Sequence, residues 1–276
     1  MSRLLICTDL DRTLIPNGSQ PESPDARQRF SRFVSRPQIT LAYVSGRHRQ
    51  LVEQAIETYQ LPLPGFVIAD VGSTIYRVEH GAWHCWQAWS DEIASDWQGL
   101  SQNKIHALLS DIDALKLQEP EKQNIHKLSY YLSLAQDQQR IIDGIQARLS
   151  ARQVKANVIW SVDELKNVGL LDILPASANK LHAIRFLMQQ QGFEANETIF
   201  AGDSGNDLDV LLSSVQSVLV ANADDEVRRA VEGGSTDTLY RASGDFLGMN
   251  GNYSAGILEG IAHYHPDLLP LIEGKQ

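Results

Sequence analysis

Leu4-Leu5-Ile6-Cys7 is a continuous apolar run that stops at an acidic loop. A short run of this kind, bounded by polar residues, predicts a strand buried on both faces. Ile39–Val44 and residues 66–70 repeat the pattern, the first ending at Ser45-Gly46-Arg47 and the second at Val71-Gly72-Ser73-Thr74. Between them, residues 24–35 and 48–59 carry apolar positions at helical spacing, with Ser23 placed to cap the first. Strand, helix, strand, helix, strand predicts a parallel sheet with right-handed crossovers.

The pattern then changes. Residues 74–78 and 82–86 alternate around Glu79-His80-Gly81, which predicts a hairpin. Residues 91–115 and 136–149 read as helical, and residues 126–132 and 154–162 as strands. Such a mixture predicts an inserted α+β unit. From Leu170 the first style returns. Leu170-Leu171-Asp172-Ile173-Leu174 reads as a strand, residues 179–191 as a helix ending at Gly192, and residues 198–201 as a strand stopped by Gly202-Asp203. A strand at 216–221 and helices at 224–231 and 255–263 follow. Residues 233–252 read as a long surface loop. The expected fold is therefore α/β: a three-layer, Rossmann-like parallel-sheet core over residues 1–78 and 170–276, with an α+β cap over 79–169.

Composition narrows the partners. Of 276 residues, 43% are hydrophobic, enough for a core that needs no covalent staples. The formal charge of -10 sets a polyanion against net repulsion, so nucleic acid is not an expected partner. Cys7 and Cys85 have neither a disulfide nor a zinc spacing. No segment approaches the roughly 18 apolar residues of a membrane span, and the N-terminus lacks a signal-peptide pattern. A cytoplasmic protein with no membrane partner is the expectation.

The polar motifs stand where the strands end, and open parallel sheets bind ligands outside those carboxyl ends. Asp9-Leu10-Asp11-Arg12-Thr13 follows the first strand. One carboxylate can attack phosphorus and the other can move the proton, although an Asp-rich turn accounts for the pair equally well. Ser45-Gly46 can hold a phosphate oxygen, or serve only as a cap and turn. Lys180 opens its helix, where a cation opposes the helix dipole by roughly 0.3–1 kcal/mol unless an anion reverses the sign. Gly202-Asp203-Ser204-Gly205-Asn206-Asp207 gathers more acceptors than a capped loop requires. If Asp9, Asp11, Asp203 and Asp207 meet at about 5 Å, each pair repels by about 3 kcal/mol at an effective dielectric near 20. A cation must offset that repulsion, and hard carboxylate donors favour Mg2+ over zinc.

These motifs, in this order, resemble those of the haloacid dehalogenase superfamily of phosphatases, whose large α+β cap follows the third strand. Lys127-Leu128-Ser129-Tyr130-Tyr131-Leu132 resembles the cap strand of the sucrose-phosphate phosphatase family, and Ser254-Ala255-Gly256-Ile257-Leu258-Glu259-Gly260 resembles part of its tail. The resemblance implies a Mg2+-dependent phosphoric monoester hydrolase acting on a disaccharide phosphate, with sucrose 6-phosphate first and mannosylfructose phosphate next. It implies Asp9 as nucleophile, Asp11 as general acid and base, and Ser45 and Lys180 on the phosphate. Gly46, Asn206 and Lys127 would contact substrate. Asp9, Asp11, Asp203 and Asp207 would form the metal site, Asp11 through its backbone carbonyl. A sugar-phosphate synthase is the protein partner it raises. Arg12 and Leu181 depart from the family pattern, which places a small or amide residue and a Gly there. A regulatory phospho-acceptor and a non-catalytic sugar-binding protein are the readings from other classes. The Trp83, Trp86, Trp89 and Trp97 series fits a cap core better than a sugar-stacking surface.

Overall fold

The computed structural model describes residues 3–163, 166–233 and 237–274. Its strands are β1 (Leu4–Thr8), β2 (Ile39–Val44), β3 (Phe66–Ala69), β4 (Thr74–Glu79), β5 (Ala82–Cys85), β6 (Lys116–Leu117), β7 (Leu128–Leu132), β8 (Ala156–Asp163), β9 (Val168–Pro175), β10 (Thr198–Gly202), β11 (Gln216–Leu219) and β12 (Leu239–Arg241). An eight-stranded sheet runs in the order β12-β11-β10-β1-β2-β3-β4-β5, and a four-stranded sheet in the order β6-β7-β9-β8. The large sheet is parallel from β12 to β3. The α/β class expected from the sequence is the class observed.

β1 shows why the core has three layers. Leu4 and Ile6 join an apolar cluster with Phe30, Val52 and Leu258 from helices Ala26–Val34, Arg49–Tyr59 and Ser254–Tyr264. Leu5 and Cys7, pointing the other way, join Trp89, Ile184 and Leu187 from helices Gln87–Ala94 and Lys180–Gln191. A strand with helices on both faces has no polar side to show, hence its unbroken apolar run.

Several elements fall elsewhere than the sequence pattern predicts. The hairpin at 74–86 extends the large sheet, with β4 antiparallel to β3 and β5 antiparallel to β4. The Leu170–Leu174 segment, expected in the core sheet, lies within β9 and pairs with β7 and β8 in the small sheet. Leu171 and Ile173 are fully buried there against Trp97, Tyr130 and Ile145, whereas Leu170 and Asp172 are half-buried. This alternation is that of a sheet covered on one face, and a five-residue apolar run does not reveal it. Trp86 and Trp89 pack on Phe66 and Phe186 under the large sheet, so of the tryptophans Trp97 supplies the fully buried cap-core side chain. The stretch expected as a loop contains β12, at the edge of the large sheet, and a 3-10 turn over Phe246–Gly248. Among the described residues, no helix is long and apolar enough to cross a membrane.

Candidate active site

Asp9 follows β1, Ser45 follows β2 and Asp203 follows β10, and these strands are neighbours in the parallel sheet. The Asp9 N–H donates to the Ala201 carbonyl at 2.9 Å, carrying the sheet's hydrogen bonding into the loop. Lys180 is the first residue of helix Lys180–Gln191, after Asn179, whose side chain caps the His182 N–H at 2.9 Å. Gly72, at φ +93°, lets the loop after β3 approach that cap; a Cβ there would stand 2.5 Å from the Asn179 carbonyl carbon.

Lys180 is the hub. Its Nζ lies 2.7 Å from Asp207 Oδ1, 2.9 Å from Asn206 Oδ1 and 3.3 Å from Asp9 Oδ1. All the ionic members are buried: Asp9 is 5% exposed, Lys180 3%, Asp203 1% and Asp207 0%. The long side chain therefore carries its charge from the helix start to acceptors that outweigh an unfavourable helix dipole. Burial works against the ammonium, but Asp207 and Asp9 hold it above its usual pKa. Burial pushes the Asp9 carboxyl upward, with Lys180 opposing.

Asp207 organises the loop that holds it. Its Oδ2 accepts from the backbone N–H groups of Asp203 and Ser204, both at 3.1 Å. Gly202 makes this possible by close approach, since a Cβ would sit 2.6 Å from Asp207 Cγ. Gly202→Ala is accordingly expected to displace Asp207 and, through it, Lys180. Turnover should fall at least about tenfold, and stability in urea should fall by about 1–3 kcal/mol, the range for overpacking a close contact.

The carboxylates of Asp9, Asp203 and Asp207 place one oxygen each within 4.8 Å of one another. Thr13 Oγ1 donates to Asp203 Oδ1 at 2.9 Å, while Asp203 Oδ2 is buried with no hydrogen-bond partner among the described residues. Burial pushes Asp203 up to about 6, against the hydrogen bond from Thr13. An orphaned, buried carboxylate oxygen in an all-oxygen donor set fits a hard divalent cation such as Mg2+.

Asp11 stands apart from this cluster. Arg47 grips its carboxylate with Nε at 2.8 Å and Nη2 at 2.6 Å, and Asn17 Nδ2 adds a third donor at 2.6 Å. Burial pushes Asp11 up, but Arg47 outweighs it and holds the carboxyl below its ordinary range. Ser45 is 1% exposed, and its Oγ accepts from the Arg47 N–H at 3.2 Å; the helix cap position belongs to His48. Gly46, Arg47 and Asn206 join Asp9, Asp11, Arg12 and Asp203 around a cavity of about 360 Å³. Lys127 does not line this cavity: it lies in the cap, 7% exposed, with Nζ 3.6 Å from Asp70 and 3.8 Å from Asp172.

Sequence reading missed Arg47, Asn17, Thr13 and Asp224 as parts of the site. Arg47 carried a signal, a cation directly after a Ser-Gly turn at a strand end. Asp224 carried none, because its partner Arg12 is distant in sequence.

Three loops at the carboxyl ends of neighbouring parallel strands, a buried lysine between aspartates and an inserted α+β unit define a phosphatase of the haloacid dehalogenase superfamily. The chain belongs to the family described as Sucrose-6F-phosphate phosphohydrolase, which matches residues 2–265. A putative HAD-like hydrolase of Nitrosococcus oceani is 55% identical, covering 96% of this chain and 72% of that one. Mannosylfructose-phosphate phosphatase of Agrobacterium fabrum is 27% identical over 94% of this chain and 96% of its own. Among solved structures, the Synechocystis sucrose-phosphatase in complex with sucrose and phosphate superposes with a TM-score of 0.70 at 28% identity, over 96% of this chain and 98% of that chain.

Proposed function

We propose that the chain hydrolyses a disaccharide phosphate, with sucrose 6-phosphate as the preferred substrate, through an aspartyl-phosphate on Asp9. The observation that carries this reading is the Asp9 carboxylate, which lines the 360 Å³ cavity and stands 3.3 Å from the buried Lys180 ammonium. Binding alone does not require a buried nucleophile, a fixed ammonium and a second carboxylate at one mouth. The substrate choice is supported by the family match and by the sucrose and phosphate bound to the Synechocystis relative.

Asp9 attacks phosphorus, the phosphorus–oxygen bond to the sugar breaks, and the departing oxygen takes a proton from Asp11. Water then attacks the phosphorus of the acyl phosphate, gives its proton to Asp11 and restores Asp9. The Arg47 grip suits the second step, because an ionised Asp11 is the form that accepts a proton. For the first step, an anionic substrate in the cavity draws Arg47 onto itself and releases Asp11 to be protonated. Lys180, Asn206 and the Ser45-Gly46 turn hold the phosphoryl oxygens. Asp9 and Asp203, with the Asp11 backbone carbonyl, would hold Mg2+, while Asp207 fixes the loop and Lys180. Bound Mg2+ would offset charge on the transferring group.

The cap is proposed to run from the end of helix Gln87–Ala94 to Pro175, following the division between the two apolar clusters and the two sheets, with Lys127, Asp70 and Asp172 at its junction with the core. It would supply the sugar contacts and shield the cavity from water.

The test is phosphate release from a panel of sugar phosphates, with Mg2+ and with chelator. The expected result is the highest kcat/KM for sucrose 6-phosphate and at least about a 100-fold loss on chelation. A tenfold preference for mannosylfructose phosphate would select the activity named for the Agrobacterium relative. Full activity in chelator would remove the metal from the mechanism.

A further inference from the structure

Arg12 stands where the family pattern has a small or amide residue, and its surroundings are built around it. Its backbone takes φ +58°, a conformation that costs roughly 1–2 kcal/mol for a residue with a side chain. Two amides hold it there: the Arg12 N–H donates to Asn17 Oδ1 at 2.8 Å, and Asn222 Nδ2 donates to the Arg12 carbonyl at 2.6 Å. The guanidinium then reaches two acids of different character. Its outer edge meets Asp224, with Nη2 at 2.6 Å and Nη1 at 3.3 Å, in a bidentate pair whose members are 34% and 49% exposed. Its Nε lies 3.5 Å from Asp203 Oδ2.

That last approach is not a hydrogen bond. Arg12 Nε and Asp203 Oδ2 are both buried, and neither has a hydrogen-bond partner among the described residues. Two unsatisfied atoms of opposite charge therefore face one another across 3.5 Å, at the oxygen through which Asp203 is open to a cation. Thr13 occupies the other oxygen.

We propose that Arg12 is a tethered counter-cation that sets the divalent-metal affinity of Asp203, and that Asp224 tunes it by neutralising part of its charge. Arg12 is a positioning residue: it balances Asp203 before the metal arrives and opposes the metal once it is there. Asp224 lowers that opposition by holding the guanidinium outward. The inference rests on the proposed assignment of Asp203 as a metal ligand.

The two partners act with opposite sign, which a purely structural ion pair would not. The experiment is calorimetric titration of metal-stripped wild type, Arg12→Gln and Asp224→Asn with Mg2+, repeated with Mn2+ followed by electron paramagnetic resonance. Removing the cation should tighten binding by roughly three- to tenfold, and removing its neutralising partner should weaken binding by roughly the same factor, as expected for a unit charge near a divalent ion in a well-screened site. Arg12→Gln should also melt at a lower temperature without metal and show a larger rise on adding Mg2+. Asp224→Asn alters an exposed side chain and keeps the test decisive if Arg12→Gln fails to fold. Unchanged affinities, or changes of the same sign in both variants, overturn the role of Arg12. A wild type that binds neither ion overturns it together with the metal assignment.

Discussion

Asp9→Asn is expected to abolish turnover, lowering phosphate release by at least about 10³-fold, with no phosphoenzyme trapped on acid quenching. A carboxamide is not a nucleophile toward phosphorus, and of the other carboxylates on the cavity Asp11 is held by Arg47 and Asp203 by Thr13. Phosphoenzyme formation by the variant at the wild-type rate would move the nucleophile to another residue. Folding should survive, and for a physical reason. Asp9 is buried beside Asp203 and Asp207, so neutralising it relieves like-charge repulsion while removing one of the acceptors of Lys180. The stability change, read by thermal melting without metal, is therefore expected to be small, and it separates loss of chemistry from loss of fold.

Lys180→Met makes the contrasting case. Methionine approximates the length and volume of the lysine stem but carries no charge. Asp9 and Asp207 would lose the ammonium that lies 3.3 and 2.7 Å from them, with both left in a buried site. Removing one partner of a buried ion pair costs about 3–5 kcal/mol, because the remaining charge is uncompensated. Both quantities should move: turnover by about 10²-fold or more, and the urea midpoint downward. Raising pH should enlarge the stability loss, since the orphaned Asp9 carboxyl can escape the penalty by taking up a proton only when the solution is acidic enough. The sign follows from Asp9, whose folded pKa burial already raises against the pull of Lys180, and which rises further once Lys180 is gone. Folded protein then binds more protons than unfolded protein, and stability falls as pH rises through that window. A variant as stable as wild type at neutral pH would show that Asp207 is held by its loop alone.

The site was more legible than the architecture around it. Asp9, Ser45, Lys180, Asp203 and Asp207 could be assigned to strand and helix ends because each follows a clear break in an apolar run. Parallel strands bring the breaks after β1, β2 and β10 to one end of the large sheet, and the start of helix Lys180–Gln191 delivers Lys180 to the same place. Lys180 even announced itself through an unfavourable position, a cation at a helix start, which its contacts with Asp9, Asn206 and Asp207 explain. Sheet membership was harder. β9 and the β4–β5 hairpin were visible as strands, but their partners were not, since an apolar run records burial and not which surface provides it. The β12 strand was lost because an edge strand of three residues between polar loops leaves almost no pattern.

By itself the sequence determined the α/β class and the order of the polar loops that follow its apolar runs, because local hydrophobic period and residue type are properties of short segments. Only the tertiary structure decided that Asp11 is gripped by Arg47, that Lys127 sits between Asp70 and Asp172 and off the wall of the Asp9 cavity, and that Arg12 faces Asp203 while bound to Asp224. Those pairings join residues far apart along the chain. Charged side chains choose partners by distance and dielectric in the folded state, and neither quantity is written in the local pattern.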